Sequence, residues 1–350
     1  MMNTTTDSAS ILNTLEKTGI RHEYHDNQWP LIIHANSACA SDLNASIEWL
    51  RENKALVEAL LLNEGAIYFR DFKLEDTSSF EEFINAFPAQ DINYVGGVAP
   101  RGGAQGRTYE STKWPNDLKI PMHQEMAYMH RQPNKLCFYC LLAPEADGET
   151  LVGNARTLAL DTLDPIFIDK LRTKGLSYER NMRDQNTSLG DEDLDRVHTV
   201  WQVQYQTEDK QEVENILTEN GYSFSWEEDG SLTSYWNTPA FRNHSVSGQE
   251  ILFQSGHGTQ TSSAMFGRLY DEKMKGFYAQ GTHKKPFLTT FGDGELIEQK
   301  DIDSLLELYR MAEVKVPYKS GDVLLLDNQL ALHGRNTFEG DRAVRVTFLA

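Results

Sequence analysis

His123-Gln-Glu125 sets an imidazole and a carboxylate two residues apart. On a β-strand, residues i and i+2 point to one face, so these two side chains can share a metal ion. The third ligand must come from elsewhere in the chain. His333 qualifies, because it closes Leu324-Leu-Leu-Asp-Asn-Gln-Leu-Ala-Leu-His333, an apolar strand pattern ending in a polar group. Two histidines and one carboxylate make the facial triad of non-haem iron(II) sites, which leaves three coordination positions open for cosubstrate and O₂. H-x-E alone is a short motif that also arises by chance: Glu125 reads as a loop carboxylate too, and His333 as a histidine at a strand end. A zinc hydrolase using the same three residues and a water is the rival chemistry.

The surroundings add to the signal. In His333-Gly-Arg-Asn-Thr-Phe-Glu-Gly-Asp-Arg342 an arginine stands nine residues beyond the histidine, at the start of the last strand pattern. A dicarboxylate that chelates a metal through one end needs a fixed cation at the other, and the planar fork of arginine fits a carboxylate. Gly148-Glu-Thr150 offers a hydroxyl 27 residues after His123. Strand alternation puts Arg342, Val344 and Val346 on one face and Arg345 on the other unless a bulge intervenes, so Arg345 is the alternative anion binder. For a substrate carboxylate the candidate is Arg101, in the Gly-rich loop ahead of His123, where a solvated loop arginine is the bland alternative. Ser111 and Tyr128 are further candidates, and His257, within Gln254-Ser-Gly-His-Gly-Thr, is expected at the pocket mouth. His130 reads as a surface or supporting residue.

These residues need elements to position them. Helical spacing of Ile47, Leu50, Leu56, Ala59 and Leu60 predicts a helix over about 42–62, ended by Gly65 and followed by a strand from Ala66 to Phe72. Thr77 or Ser78 is expected to cap a short helix, with Glu81 completing a capping box. Residues 94–117 are Gly-rich and irregular, and a loop of that length is usually functional or disordered. Strands are expected over 136–143 and 149–153, joined by a turn at Asp147-Gly148. Helices capped by Asp164 and at Asp209 fall in the middle, where Trp201, Trp226 and Trp236 imply packing. A helix over 301–313 precedes strands at 314–316, 321–327, 329–333 and 342–349. The expected architecture is a β-core carrying a mixed helical insertion at about 157–250, with helices and strands both present.

Hydrophobic residues make up 39% of the 350 and charged residues 24%, the balance of a globular protein with a sizeable core. A net charge of −19 argues against nucleic acid or an anionic membrane as partner, while leaving room for an anionic small molecule in an arginine-lined pocket. No apolar run approaches the roughly 20 residues of a membrane span. The start of the chain is polar and lacks the basic end and apolar stretch of a secretion signal. It is expected to be a frayed tail over 1–15 on a single domain of 16–350, in a cytoplasmic protein. Three cysteines make no disulfide framework, and Cys137 and Cys140 lie in a strand pattern that turns them to opposite faces as core residues.

The chain resembles the taurine dioxygenase/TfdA family, and especially its clavaminate-synthase-like branch. The resemblance rests on Tyr94-Val-Gly-Gly-Val-Ala-Pro-Arg101, Ile120-Pro-Met-His-Gln-Glu-Met-Ala127, Gly148-Glu-Thr150 and His333-Gly-Arg-x-x-Phe-x-Gly-x-Arg342, four fragments in the right order. Phe291-Gly-Asp-Gly294 and Asn243 to Phe253 are looser matches, and the whole runs from about 66 to the C-terminus. It implies an α+β fold on a double-stranded β-helix (jelly-roll) core. It also implies iron(II) on His123, Glu125 and His333, 2-oxoglutarate held at its far carboxylate by Thr150 and Arg342, and O₂ as oxidant. The substrate class implied is an amino acid or amino-acid-like small acid, free or tethered to a carrier protein, and hydroxylation is the default outcome. Desaturation or ring closure needs only another substrate pose. Halogenating members carry Gly or Ala at the carboxylate position, so the intact Glu125 disfavours halogenation. Gln254 departs from the asparagine common there, which puts the substrate contact at that position in doubt. The contrary reading, a non-catalytic metabolite-binding β-helix protein, is opposed by the completeness of the residue set.

Overall fold

A computed structural model describes residues 8–90, 106–111 and 115–350. Its centre is two sheets facing each other, the double-stranded β-helix. The larger runs Arg21–Tyr24, Leu31–His34, Ala66–Arg70, Val323–Asp327, Lys135–Leu142, Ala343–Leu349, Thr108–Glu110, and the smaller Ile120–His123, Ala331–Arg335, Thr150–Asn154. Only the pairing of Leu31–His34 with Ala66–Arg70 is parallel in these two sheets. Alternation decides which residues meet between the layers. Tyr68, Leu136, Phe138, Leu324, Leu326, Val344 and Val346 pack inward with Val152 and Ala331 of the smaller sheet and with Met126, just beyond its first strand. Ile67, Phe69, Cys137, Tyr139, Val323 and Leu325 face outward onto helices. Cys137 and Cys140 are buried free thiols, as core residues on a strand should be, and burial pushes the Cys140 thiol up to about 12.

The outer helices are Ser8–Glu16, Leu43–Glu52, Lys54–Glu64 and Thr77–Ile84. The polar start therefore folds further toward the N-terminus than its composition implies, because Ile11 and Leu15 are buried in the outer core. The single helix expected over 42–62 is two helices broken at Asn53 (φ −101°, ψ 12°), with Asp42 capping the first through the Ala45 amide. The cap of Thr77–Ile84 is Asp76, whose carboxylate and Ser79 form the capping box, not Thr77 or Ser78. Residues 314–316 form no strand; Val314 makes one bridge to Val152.

The middle segment mixes helices with strands. Pro165–Lys174 and Lys210–Glu219 are present with their Asp164 and Asp209 caps. They accompany a four-stranded sheet ordered Ser223–Trp226, Leu232–Thr238, Leu176–Met182, Phe287–Phe291, which extends past 250. Trp201 and Trp226 pack edge to face at 5.2 Å in that layer. No described helix is long and apolar enough to cross a membrane.

Candidate metal centre and cosubstrate pocket

His123 ends the strand Ile120–His123 and stands directly opposite His333 in the antiparallel register, with ring centroids 4.3 Å apart. His333 lies in the middle of Ala331–Arg335 rather than at a strand end, and is 5% exposed. Glu125 is not on the strand. It sits in the turn beyond it, where Met126 takes a left-handed φ of 58°. Strand alternation therefore does not bring Glu125 to the histidines. Asn328 holds it instead: its Oδ1 accepts from the Glu125 amide at 2.7 Å, and its Nδ2 donates to the Glu125 and Pro133 carbonyls at 3.0 and 2.9 Å. Asn328 is fully buried.

The Glu125 Oε2 lies 3.3 Å from His333 Nε2 and 4.0 Å from His123 Nε2. One donor atom from each of the three residues falls within 4.8 Å of the others. His123 Nδ1 is 2.8 Å from the Pro121 carbonyl, which can only accept, so Nδ1 carries the hydrogen and Nε2 keeps its lone pair. Burial, helped by the neighbouring His333, holds the His123 pKa down to about 4 against the pull of Glu125. A neutral imidazole with a free lone pair is the form that binds a metal. Two histidine nitrogens and a carboxylate suit iron(II), and the donor set fits it.

One cavity of about 170 Å³ joins this cluster to Thr150 and Arg342. Thr150 opens the strand Thr150–Asn154, paired to Arg335. The turn ahead of it has positive φ at both Asp147 (55°) and Gly148 (73°). A Cβ on Gly148 would meet Phe338 Cβ and Pro144 Cγ at 2.7 Å, so the residue must be glycine. The Gly148 carbonyl accepts from Arg342 Nε at 2.7 Å and fixes the plane of the guanidinium. Burial lowers the Arg342 pKa, yet a guanidinium stays charged.

A register shift falls between Ala343 and Val344, so simple parity does not run from Arg342 into the strand. Arg342 and Val346 nonetheless line the cavity, and Arg345 does not. Ser111 and Tyr128 line it, with Ser111 Oγ 3.5 Å from Arg342 Nη1. His257 lines it too, but as a fully buried wall residue rather than at the mouth. Its Nε2 is 2.8 Å from the Met122 carbonyl. Gln254 does not line the cavity; its amide donates to the Tyr309 hydroxyl at 2.8 Å, so it supports the wall. His130 lies edge-on to Trp236 at 5.7 Å and does not line this cavity, but lines a neighbouring one. Arg101 lies outside the described residues. Sequence reasoning missed Arg335, a buried cavity residue whose Nη2 donates to the Pro115 and Leu118 carbonyls. Burial and the nearby Arg342 hold its pKa down to about 10. Its place two residues after His333 was the available signal.

The family model described as taurine catabolism dioxygenase TauD, TfdA family, matches residues 33–348. A clavaminate synthase-like protein of Arabidopsis thaliana is 29% identical over 92% of this chain and 93% of its own length. The dapdiamide synthesis protein DdaC of Enterobacter agglomerans is 30% identical over 94% and 95%. Among solved structures, PvcB of Pseudomonas aeruginosa superposes with a TM-score of 0.51 at 14% identity, covering 94% of this chain and 91% of that one, a likeness of fold. With the match spanning nearly the whole chain, the protein belongs to the TauD/TfdA family and is an iron(II)- and 2-oxoglutarate-dependent oxygenase.

Proposed function

We propose that this oxygenase hydroxylates an unactivated C–H bond of an amino acid or amino-acid-like small acid, free or carrier-tethered, with His123, Glu125 and His333 holding iron(II) and Thr150 and Arg342 holding 2-oxoglutarate. The observation that carries the reading is that one cavity contains both the three-residue donor cluster and the Thr150–Arg342 pair. Bound iron supplies oxygen activation coupled to decarboxylation of the cosubstrate to succinate. The protein's own part is placement. Asn328 fixes the backbone of Glu125 and the Pro121 carbonyl fixes one imidazole before any ligand arrives, and the Gly148 carbonyl fixes Arg342. Ile120, Met126, Phe138 and Val346 give the cavity apolar walls that keep water from the reacting carbon.

Space and charge support an acidic substrate larger than a fragment. On a scale where one water needs about 10–15 Å³, a cavity of about 170 Å³ is largely filled by 2-oxoglutarate. A second cavity of about 280 Å³ shares Met126, Tyr128 and Thr259 with it and is lined by Glu179 and Arg180, charges of both signs that suit a zwitterion. Arg335 beside Arg342 provides a second cation for a second anion. The relatives associated by name with dapdiamide and clavaminate synthesis point the same way. The test is a panel of free amino acids, small amino-acid-like acids and carrier-bound aminoacyl groups, scored by succinate formation and by a product heavier by one oxygen. A panel member should raise succinate release well above the substrate-free rate. Stimulation only by non-amino acids would overturn the substrate class, and no succinate with any compound would overturn the assignment of the site.

A further inference from the structure

The Thr150 hydroxyl has one hydrogen and two lone pairs, so which way it points depends on what else bonds it. Tyr318 answers that question. Its hydroxyl donates to Thr150 Oγ1 at 2.5 Å across 168 residues of sequence, and Tyr318 does not itself line the cavity. We propose that Tyr318 is a positioning residue that occupies a Thr150 lone pair and so turns the threonine hydrogen toward the far carboxylate of 2-oxoglutarate. The inference rests on the assignment of Thr150 to the cosubstrate.

The phenol is built into place from both sides. Arg70 and Asp322 form a buried two-point pair, Nε to Oδ1 at 3.0 Å and Nη2 to Oδ2 at 2.7 Å. The same Arg70 Nη2 donates to the Pro317 carbonyl at 2.9 Å, and Asp322 Oδ2 accepts from the Lys319 amide at 2.9 Å. The residues on either side of Tyr318 are thus tied to one ion pair. Tyr68 packs edge-on against the Tyr318 ring at 6.4 Å, and its hydroxyl reaches the Thr150 carbonyl at 3.4 Å. Burial raises the Tyr318 phenol well above its ordinary range, so it stays a donor at any working pH. Donation from phenol to threonine and from threonine to carboxylate forms a chain in which each bond polarises the next. Without the phenol, the threonine hydrogen is free to turn away.

The experiment is an anaerobic titration of the iron(II)-loaded protein, following the iron–2-oxo-acid charge-transfer absorption. Two ligands are compared: 2-oxoglutarate, and 2-oxobutyrate, which lacks the far carboxylate. Tyr318→Phe should weaken 2-oxoglutarate about five- to tenfold, the worth of one hydrogen bond, and leave 2-oxobutyrate and iron affinity unchanged. In Thr150→Val the further change Tyr318→Phe should cost nothing, because the phenol acts only through the hydroxyl. Thr150→Ser, which keeps the hydroxyl, should stay sensitive to Tyr318→Phe and serves if the valine variant folds poorly. Equal weakening of both ligands, or additive losses in the double variant, would overturn the proposal in favour of a merely structural tyrosine. A Thr150→Val variant with full 2-oxoglutarate affinity would instead overturn the cosubstrate assignment beneath it.

Discussion

At the scale of single residues, charge and lone pairs set what the cavity can hold. Glu125 is the one carboxylate in the donor cluster. Glu125→Ala should weaken iron(II) binding and abolish most turnover, and added chloride should restore part of the affinity by entering the vacated position. Iron titrations with and without chloride check this; turnover at the parent rate without added anion would remove Glu125 from the ligand set. Arg342 and Arg345 are close in sequence and opposite in placement. Arg342→Gln should weaken 2-oxoglutarate by about 1.5–3 kcal/mol, the range for a hydrogen bond to a charged group. Arg345→Gln should change it little, and a reversal of the two effects would exchange their roles.

At the scale of elements, the strand Ala66–Arg70 and the turn before Val323–Asp327 are joined by the Arg70–Asp322 pair, with Asp322 1% exposed. Asp322→Asn keeps the shape and removes the charge, leaving a buried guanidinium without its counter-ion. Breaking one side of such a pair costs about 3–5 kcal/mol, and denaturant unfolding of the variant should show a loss of that order. A loss below about 1 kcal/mol would mean that water already reaches Arg70. Elements were most legible where local chemistry dictates them. Asp164 followed by Pro165, and Asp209 ahead of Lys210–Glu219, begin helices where the side chains cap them. The four-stranded middle sheet was less legible, because Leu176–Met182 carries Glu179 and Arg180 and does not alternate cleanly.

At the scale of the whole molecule, burial couples folding to acidity. Desolvation, with Arg183 nearby, lowers the His198 pKa from 6.5 to about 4 in a layer far in sequence from the His123, Glu125 and His333 cluster, where Nδ1 lies 3.2 Å from the Tyr278 hydroxyl. The unfolded chain takes up this proton first as the pH falls. Stability is therefore full above about pH 6.5 and declines toward pH 4. His257, also lowered to about 4 by burial, adds to the slope. Thermal midpoints measured across that window should fall with acidity, and less steeply in His198→Gln. A parallel pH dependence in parent and variant would show that His198 is not buried as a neutral ring.

What the sequence determined alone was local or periodic. Lys135–Leu142 and Val323–Asp327 are legible as strands from their apolar runs, and the Asp147-Gly148 reversal follows from residues that tolerate positive φ. The candidate ligands and the Thr150–Arg342 pair were legible as residue types at family spacings. Only the tertiary structure decided what holds them. Asn328 reaches the Glu125 backbone across 203 residues, Tyr318 reaches Thr150 across 168, and Arg335 braces the chain at Pro115 and Leu118. Such contacts leave no periodic trace, because a single hydrogen bond between distant segments depends on which sheet faces close over a shared core. That closure is a collective result of burying apolar surface, and no short stretch of chain encodes it.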